Sequence, residues 1–291
     1  DIDTIEDYVK LENRWERKIN MDINQYHKAK SLKEAYQILS ENPKNSILGG
    51  GTWLKQAGSN LNTLVDLCEL NLNQIVETKE SIEIGALATL HEIETNEAVK
   101  VLGEGFVSES LSNILGVGFR NVATIGGTIA GKYAFSDFIT SLLTLKVKLV
   151  FFPKKEMSLE DFLKSKGKMT DILTHIIIKK SPGKGFFKKV ATTTLELAIL
   201  NIAVYQENNK YNISLGSRPS GAMLSHEAVE FLNKQEKITE EVLNQTAQIV
   251  LDTIKLGPTK TASKEYREIL ANTYVKRGIK AVSSKCRLNL T

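Results

Sequence analysis

Two glycine-rich turns carry most of the chemistry this sequence offers. The first is Gly49-Gly50-Gly51-Thr52, entered through Ser46-Ile47-Leu48 and left through Trp53 and Leu54. The second is Thr124-Ile125-Gly126-Gly127-Thr128, entered through Asn121-Val122-Ala123. Adjacent glycines permit positive φ and place no Cβ between the backbone N–H groups and a ligand. Such backbone suits anionic groups. Two turns of this kind in one chain point to one long anionic ligand gripped at two places, and a dinucleotide with a central pyrophosphate has that shape.

Other chemistries find little support. Neither turn reads GxGxxG, and no strand–helix–strand unit with an acidic residue follows, so a Rossmann site is a poor match. No Gly-Lys-Ser/Thr follows the glycines, which argues against a Walker loop. The four histidines, His27, His91, His175 and His226, are scattered without metal-ligand spacing. There is no GxSxG elbow. Cys68 and Cys286 form no CxxC pair, and two thiols are too few for an iron–sulfur cluster on this chain alone. Cys68 follows an apolar strand and reads as a small buried hydrophobe. Cofactor-holding backbone with little acid–base machinery points to chemistry done by the cofactor itself.

The elements that must position these turns follow from caps and periodicity. Ser31-Leu32-Lys33-Glu34 is a capping box, and Leu32, Ala35, Tyr36, Ile38 and Leu39 supply an amphipathic helix. Residues 46–48, 63–67 and 81–85 read as strands. Helices are predicted from Leu90 and over 105–115, then over 137–145 after the second turn. Strands 147–152, closed by Pro153, and 172–179 flank a short helix capped by Ser158. Ser181-Pro182-Gly183-Lys184-Gly185 is the best domain boundary. Beyond it, strands are predicted over 185–192, 196–205 and 211–217, then helices over 225–232, 239–256 and 263–279. That order suggests a small α+β domain, with helices on one face of a three-stranded antiparallel sheet.

Bulk properties fit this picture. The 291 residues make one large or two modest domains, with 42% hydrophobic and 25% charged residues. The net charge of +4 is spread over interleaved Lys and Glu, so no nucleic-acid partner is expected. No window approaches the roughly 18 consecutive apolar residues of a membrane span. The acidic stretch Asp1-Ile2-Asp3-Thr4-Ile5-Glu6-Asp7 lacks the apolar core of a signal peptide. With so few cysteines, a cytoplasmic location is expected. Residues 1–20 fit an extension, a tag remnant or an extra helix, and nothing in the sequence separates these.

The order of motifs resembles the FAD-binding subunit of the molybdenum hydroxylases, the group of the xanthine dehydrogenase and carbon monoxide dehydrogenase flavoproteins. The residues that carry the resemblance are Ser31 to Ala35, Leu48 to Thr52, Ile84-Gly85-Ala86, Phe119-Arg120-Asn121-Val122-Ala123-Thr124-Ile125-Gly126-Gly127 and Ser136-Asp137. Phe187-Lys188, Arg218-Pro219 and Ser263-Lys264-Glu265-Tyr266-Arg267 resemble that family's C-terminal domain. The resemblance covers roughly residues 21 to 282, and its most specific part is the run from Arg120 to Gly127.

The resemblance implies an α+β architecture. A two-subdomain FAD-binding domain of the vanillyl-alcohol-oxidase (PCMH) type would span 21–180, and a small α+β domain 184–285. Residues Ile47 to Leu54 would hold the pyrophosphate and adenine side. Thr124 to Thr128 would grip the other flank and the ribityl chain. Asp137 would accept a hydrogen bond from a cofactor hydroxyl, and Ile114 would lie against the flavin ring. Leu173 and Lys188 would sit near the ring's pyrimidine end. The implied partners are a molybdopterin-binding large subunit and a [2Fe–2S] small subunit, with NAD or another electron acceptor. Trp53, Thr128, Gly116-Val117-Gly118 and Lys132-Tyr133-Ala134-Phe135 depart from the family pattern on the ring side. A self-contained flavin reductase of the same superfamily and a flavin-free scaffold are the rival expectations.

Overall fold

The computed structural model describes residues 22–54, 60–167, 169–218 and 221–283. The expected extension at residues 1–20 and Cys286 lie outside them. Strands β1 (Ile23–Lys28), β2 (Ser46–Leu48) and β3 (Leu61–Asp66) form a parallel sheet in the order β1-β3-β2. Parallel strands need a crossover, and the helix Leu32–Glu41 provides the one from β1 to β2, which flank β3. Ser31 caps it by accepting the Glu34 N–H at 3.1 Å. The buried face of this helix, Ala35 and Leu39, packs on Val65 and Leu67.

A second sheet holds β4 (Ile75–Glu77), β5 (Ser81–Gly85), β6 (Val147–Phe152), β7 (Lys155–Ser158) and β8 (Ile172–Lys179), all antiparallel in the order β4-β5-β8-β6-β7. The chain between β5 and β6 is helical. Its members include Leu90–Thr95, Phe106–Ser112, Ile125–Ala130 and Asp137–Leu143. Ile82, Ile84, Leu149, Ile176 and Ile178 meet Phe106, Leu111, Ile129 and Phe138 in one core. Ile172 of β8 also joins the core of the small parallel sheet, so the two subdomains lean on each other along one edge.

The C-terminal sheet differs from expectation in two ways. It has four strands, β9 (Gly183–Val190), β10 (Leu200–Glu207), β11 (Lys210–Gly216) and β12 (Met223–Leu224), in the order β12-β11-β10-β9. The two-residue β12 is too short to show a period. β10 begins at Leu200 rather than at 196, because the segment before it turns, with the Glu196 N–H donating to the Thr193 carbonyl. Alternation along β10 splits its residues between two cores. Ile202 and Val204 face the helices His226–Asn233, Glu240–Thr253 and Lys264–Ser283, whereas Ala203 and Tyr205 join the core of the five-stranded sheet. Arg267, 1% exposed, donates to the carbonyl oxygens of Ile199, Ser217 and Gly257 and pins the last helix to this sheet.

Cys68 is exposed, contrary to expectation. β3 ends at Asp66, and Asp66 Oδ1 accepts the Cys68 N–H at 2.9 Å, which turns the chain into a short 3-10 helix with the thiol outward.

Candidate functional site

The two glycine turns meet. A Cβ at Gly50 would lie 1.7 Å from the Val122 carbonyl oxygen, and one at Gly49 would lie 2.9 Å from Thr124 Oγ1. Close approach therefore requires these glycines. Positive φ, the reason expected from the sequence, applies to only one of the turn glycines, Gly51 at 71°. Gly126 and Gly127 instead occupy the first turn of the helix Ile125–Ala130. Here too the need is space, since a Cβ at Gly126 would lie 2.6 Å from the Ala86 carbonyl oxygen.

Local hydrogen bonds lock the second turn onto the segment that follows β5. The Ile125 N–H donates to Ala88 O at 3.0 Å, the Gly126 N–H to Ala86 O at 2.8 Å, and the Leu90 N–H to Ala123 O at 2.8 Å. Thr124 caps its helix by accepting the Gly127 N–H at 3.2 Å. Thr128 Oγ1 donates back to the Thr124 carbonyl at 3.0 Å. The first turn is fixed more simply, by pairing of β2 with β3 through Leu48 and Asp66.

A cleft of about 530 Å³ runs between the two subdomains beside these turns. Ile47 and Gly49 line it. Thr124, Gly126 and Gly127 line it too, as does Leu173 of β8. Lys132 lies at its wall. Its ammonium donates to Phe162 O at 2.6 Å, Ser165 O at 2.8 Å and Ser165 Oγ at 2.9 Å, and stands 4.3 Å from the Phe162 ring centre. Burial pushes its pKa down.

A second cavity of about 40 Å³ contains Trp53, Ile114, Thr128 and Asp137 in its wall, together with Lys189. Aromatic side chains crowd it. Trp53 lies 5.9 Å from Phe119, 5.5 Å from Tyr133 and 5.3 Å from Phe135, centre to centre, and Tyr133 stacks on Phe135 at 5.4 Å. Asp137, 4% exposed, accepts from Asn201 Nδ2 at 2.8 Å and stands 3.8 Å from the Lys189 ammonium. Burial drives its pKa up from 3.8 to about 6, against the opposing pull of Asn201 and Lys189.

The expected site residues are divided between the two spaces, with a remainder in neither. Ile47, Gly49, Thr124, Gly126, Gly127 and Leu173 share the large cleft. Trp53, Ile114, Thr128 and Asp137 share the small cavity. Leu48, Gly50, Gly51, Thr52 and Leu54 belong to or flank the first turn but line neither space, and Ile125 is fully buried in the core. Lys188 faces away, exposed, with its ammonium 5.9 Å from the Tyr274 ring centre. Its neighbour Lys189 points inward, with a side chain only 6% exposed, and donates to Asn113 O at 2.7 Å. Strand parity holds that signal: Phe187 is apolar and buried, so Lys189 shares its face. Asn201 and the aromatic group escape sequence reasoning, because they assemble only across distant segments.

Among the described residues, no group of three or more His, Cys, Asp or Glu side chains is placed to hold a metal ion. No described helix is long and apolar enough to cross a membrane.

Comparison with known proteins adds three findings. Residues 18–180 match the family model described as the FAD binding domain in molybdopterin dehydrogenase, and residues 185–282 match the CO dehydrogenase flavoprotein C-terminal domain. The xanthine dehydrogenase FAD-binding subunit of Escherichia coli O157:H7 is 24% identical over 281 residues, covering 89% of this chain and 95% of that one. The glyceraldehyde dehydrogenase medium chain of Sulfolobus acidocaldarius is 27% identical over 195 residues, covering 62% and 68%. In fold, the chain is similar to carbon monoxide dehydrogenase from Hydrogenophaga pseudoflava, with a TM-score of 0.83, 20% identity and 92% and 99% coverage. It is also similar to quinoline 2-oxidoreductase from Pseudomonas putida 86, with a TM-score of 0.81, 21% identity and 90% and 98% coverage.

Proposed function

The chain belongs to the family of FAD-binding domains of molybdopterin dehydrogenases, and from that premise we propose that it is the electron-transfer flavoprotein of a multi-subunit, cytoplasmic molybdenum hydroxylase. In this reading a molybdopterin-binding large subunit oxidises the substrate, a [2Fe–2S] small subunit relays the electrons, and this chain delivers them to NAD or another acceptor. The observation that carries the reading is the contact between Gly49-Gly50 and Val122–Thr124 at the mouth of the large cleft.

The flavin, when bound, would supply the redox chemistry. The protein's part is to hold it. A cleft of about 530 Å³ lies within the usual range of roughly 300–1,000 Å³ for small-molecule sites. Gly49, Gly126 and Gly127 carry no Cβ and so let a diphosphate lie close against the turns, although the Gly126 and Gly127 N–H groups are already given to Ala86 O and Thr124 Oγ1. Leu173 and Ile47 offer apolar walls to the nucleoside at the open end. At the other end Asp137 accepts a hydrogen bond from a hydroxyl. Lys189, rather than Lys188, supplies the nearby cation and favours the ionised acceptor form of Asp137 against burial.

The test is flavin reconstitution of the full chain. Purified protein mixed with FAD and desalted is expected to keep a flavin absorption band. Gly127→Asp sets a carboxylate where the diphosphate lies, while its Cβ meets only Thr124 Oγ1 at 3.2 Å. That variant should melt like the wild type yet lose the flavin. Retention of flavin by a folded Gly127→Asp protein would overturn the assignment.

A further inference from the structure

The two ends of the site differ in how much room they leave. A dinucleotide with its diphosphate at the glycine turns sends one end into the large cleft and the other toward the small cavity. At about 40 Å³ the small cavity is only a few times the roughly 10–15 Å³ that one water molecule needs. A tricyclic ring does not enter it while the aromatic side chains stand as they do. The redox ring is assigned to this end in keeping with the expected place of Ile114 and Asp137, both in its wall, and the wall reaches the surface at Glu196 and Leu197. That surface position gives an electron-transfer partner access that the interior of the large cleft does not.

The members of the aromatic group are held unequally. Tyr133 and Phe135 sit on a loop tied down at several points. Lys132 anchors its start through Phe162 and Ser165. The Ala134 carbonyl accepts the Ser217 N–H at 2.7 Å, and the Phe135 carbonyl accepts from Asn201 Nδ2 at 3.3 Å. The Tyr133 ring is also packed on Gly131, where a Cβ would lie 2.2 Å from it. Trp53 touches three of the other rings, yet among the described residues no hydrogen bond holds its indole. Of the four rings it is the one carried by the first glycine turn, so its indole spans from that turn to the loop of Tyr133 and Phe135.

We infer that Trp53 is a gate on the ring end of the cleft and separates FAD from nucleotides that lack the ring system. With the indole in place, the site takes ADP at its open end. The indole swings out to admit the flavin ring, which then lies against Tyr133 and Phe135. This inference rests on the dinucleotide reading of the site given above.

The test compares ADP and FAD on the full-length wild type, Trp53→Ala and Tyr133→Ala. Calorimetry gives the affinities, and stopped-flow flavin fluorescence gives the FAD association rate. ADP affinity is expected to agree within about twofold across all three proteins, because ADP needs no open state. The FAD association rate should level off with concentration in the wild type. In Trp53→Ala it should rise linearly and run about tenfold faster, with a correspondingly higher ratio of FAD to ADP affinity. Tyr133→Ala opens the same space from another segment and keeps the test alive if Trp53→Ala does not fold. Identical FAD kinetics in wild type and a folded variant, with normal ADP binding, would overturn the gate and leave the site standing. Absence of both ADP and FAD binding in every form would defeat the reading of the site itself.

Discussion

The open and closed ends of the cleft are built from different materials. The open end is backbone where the turns meet: Gly49, Gly126 and Gly127 line it there, and the neighbouring turns touch so closely that a Cβ at Gly50 would overlap the Val122 carbonyl. The closed end is side chain: four aromatic rings, and beneath them the Asp137–Lys189–Asn201 group. Backbone contacts of this kind have one arrangement and fail when altered. Aromatic side chains have several rotamers and repack. One end is thus suited to a fixed ligand group, the other to one that arrives by displacing something.

Substitutions at the two ends should separate these materials. The largest effect is expected for Gly50→Ala. Its methyl would sit 1.7 Å from Val122 O, and overpacking of that order costs about 3 kcal/mol. Urea denaturation measures it, and a wild-type midpoint would mean that the turns do not depend on each other.

Asp137→Asn probes the closed end through pH. The folded carboxyl keeps its proton up to about pH 6, whereas the unfolded one releases it near 3.8. Between those values the folded state binds more protons, so this group makes the wild type lose stability as pH rises through that window. The loss amounts to about 2 to 3 kcal/mol once pH 7 is reached. Asparagine keeps an acceptor for Asn201 and removes the titration. The variant should therefore gain on the wild type between pH 4 and 7, and parallel stability–pH curves would show that the closed end is not desolvated.

Thr124→Ala removes the cap that accepts the Gly127 N–H. A loss of about 1 kcal/mol is expected, with weaker flavin retention, read by thermal melts of apo and FAD-loaded protein. Cys68→Ala lies away from both ends on an exposed turn. It should change stability by less than about 0.5 kcal/mol, and a larger loss in a urea titration would contradict the outward position of the thiol.

Much of this architecture is legible in the order of the residues. Ser31 and Ser158 announce their helices because a side-chain oxygen three residues before an N–H is a local arrangement. The glycine pairs mark close backbone approach. Their actual reason depends on which carbonyl lies opposite, and that is set by contacts between residues about 50 and 122, beyond local reading. Lys188 and Lys189 look alike as a basic pair. Only the parity of β9, fixed by Phe187, separates the outward lysine from the inward one. Trp53, Tyr133 and Phe135 look like unrelated departures in the chain, and the fold gathers them. Met223 and Leu224 escape notice as a strand because two residues carry no period.

The alternation along β10 has a consequence for how the protein comes apart. Phe187, Ala203 and Tyr205 lie inside the hydrophobic interior of the N-terminal segment, and Asn201 ties Asp137 to Thr140 and Phe135. A protease nick within 181–185 would therefore leave two pieces still clamped together. Either piece made by itself would show water a face of naked apolar rings and be prone to clump. The two family signatures mark a seam in ancestry, whereas cooperative melting should treat the whole as a single body.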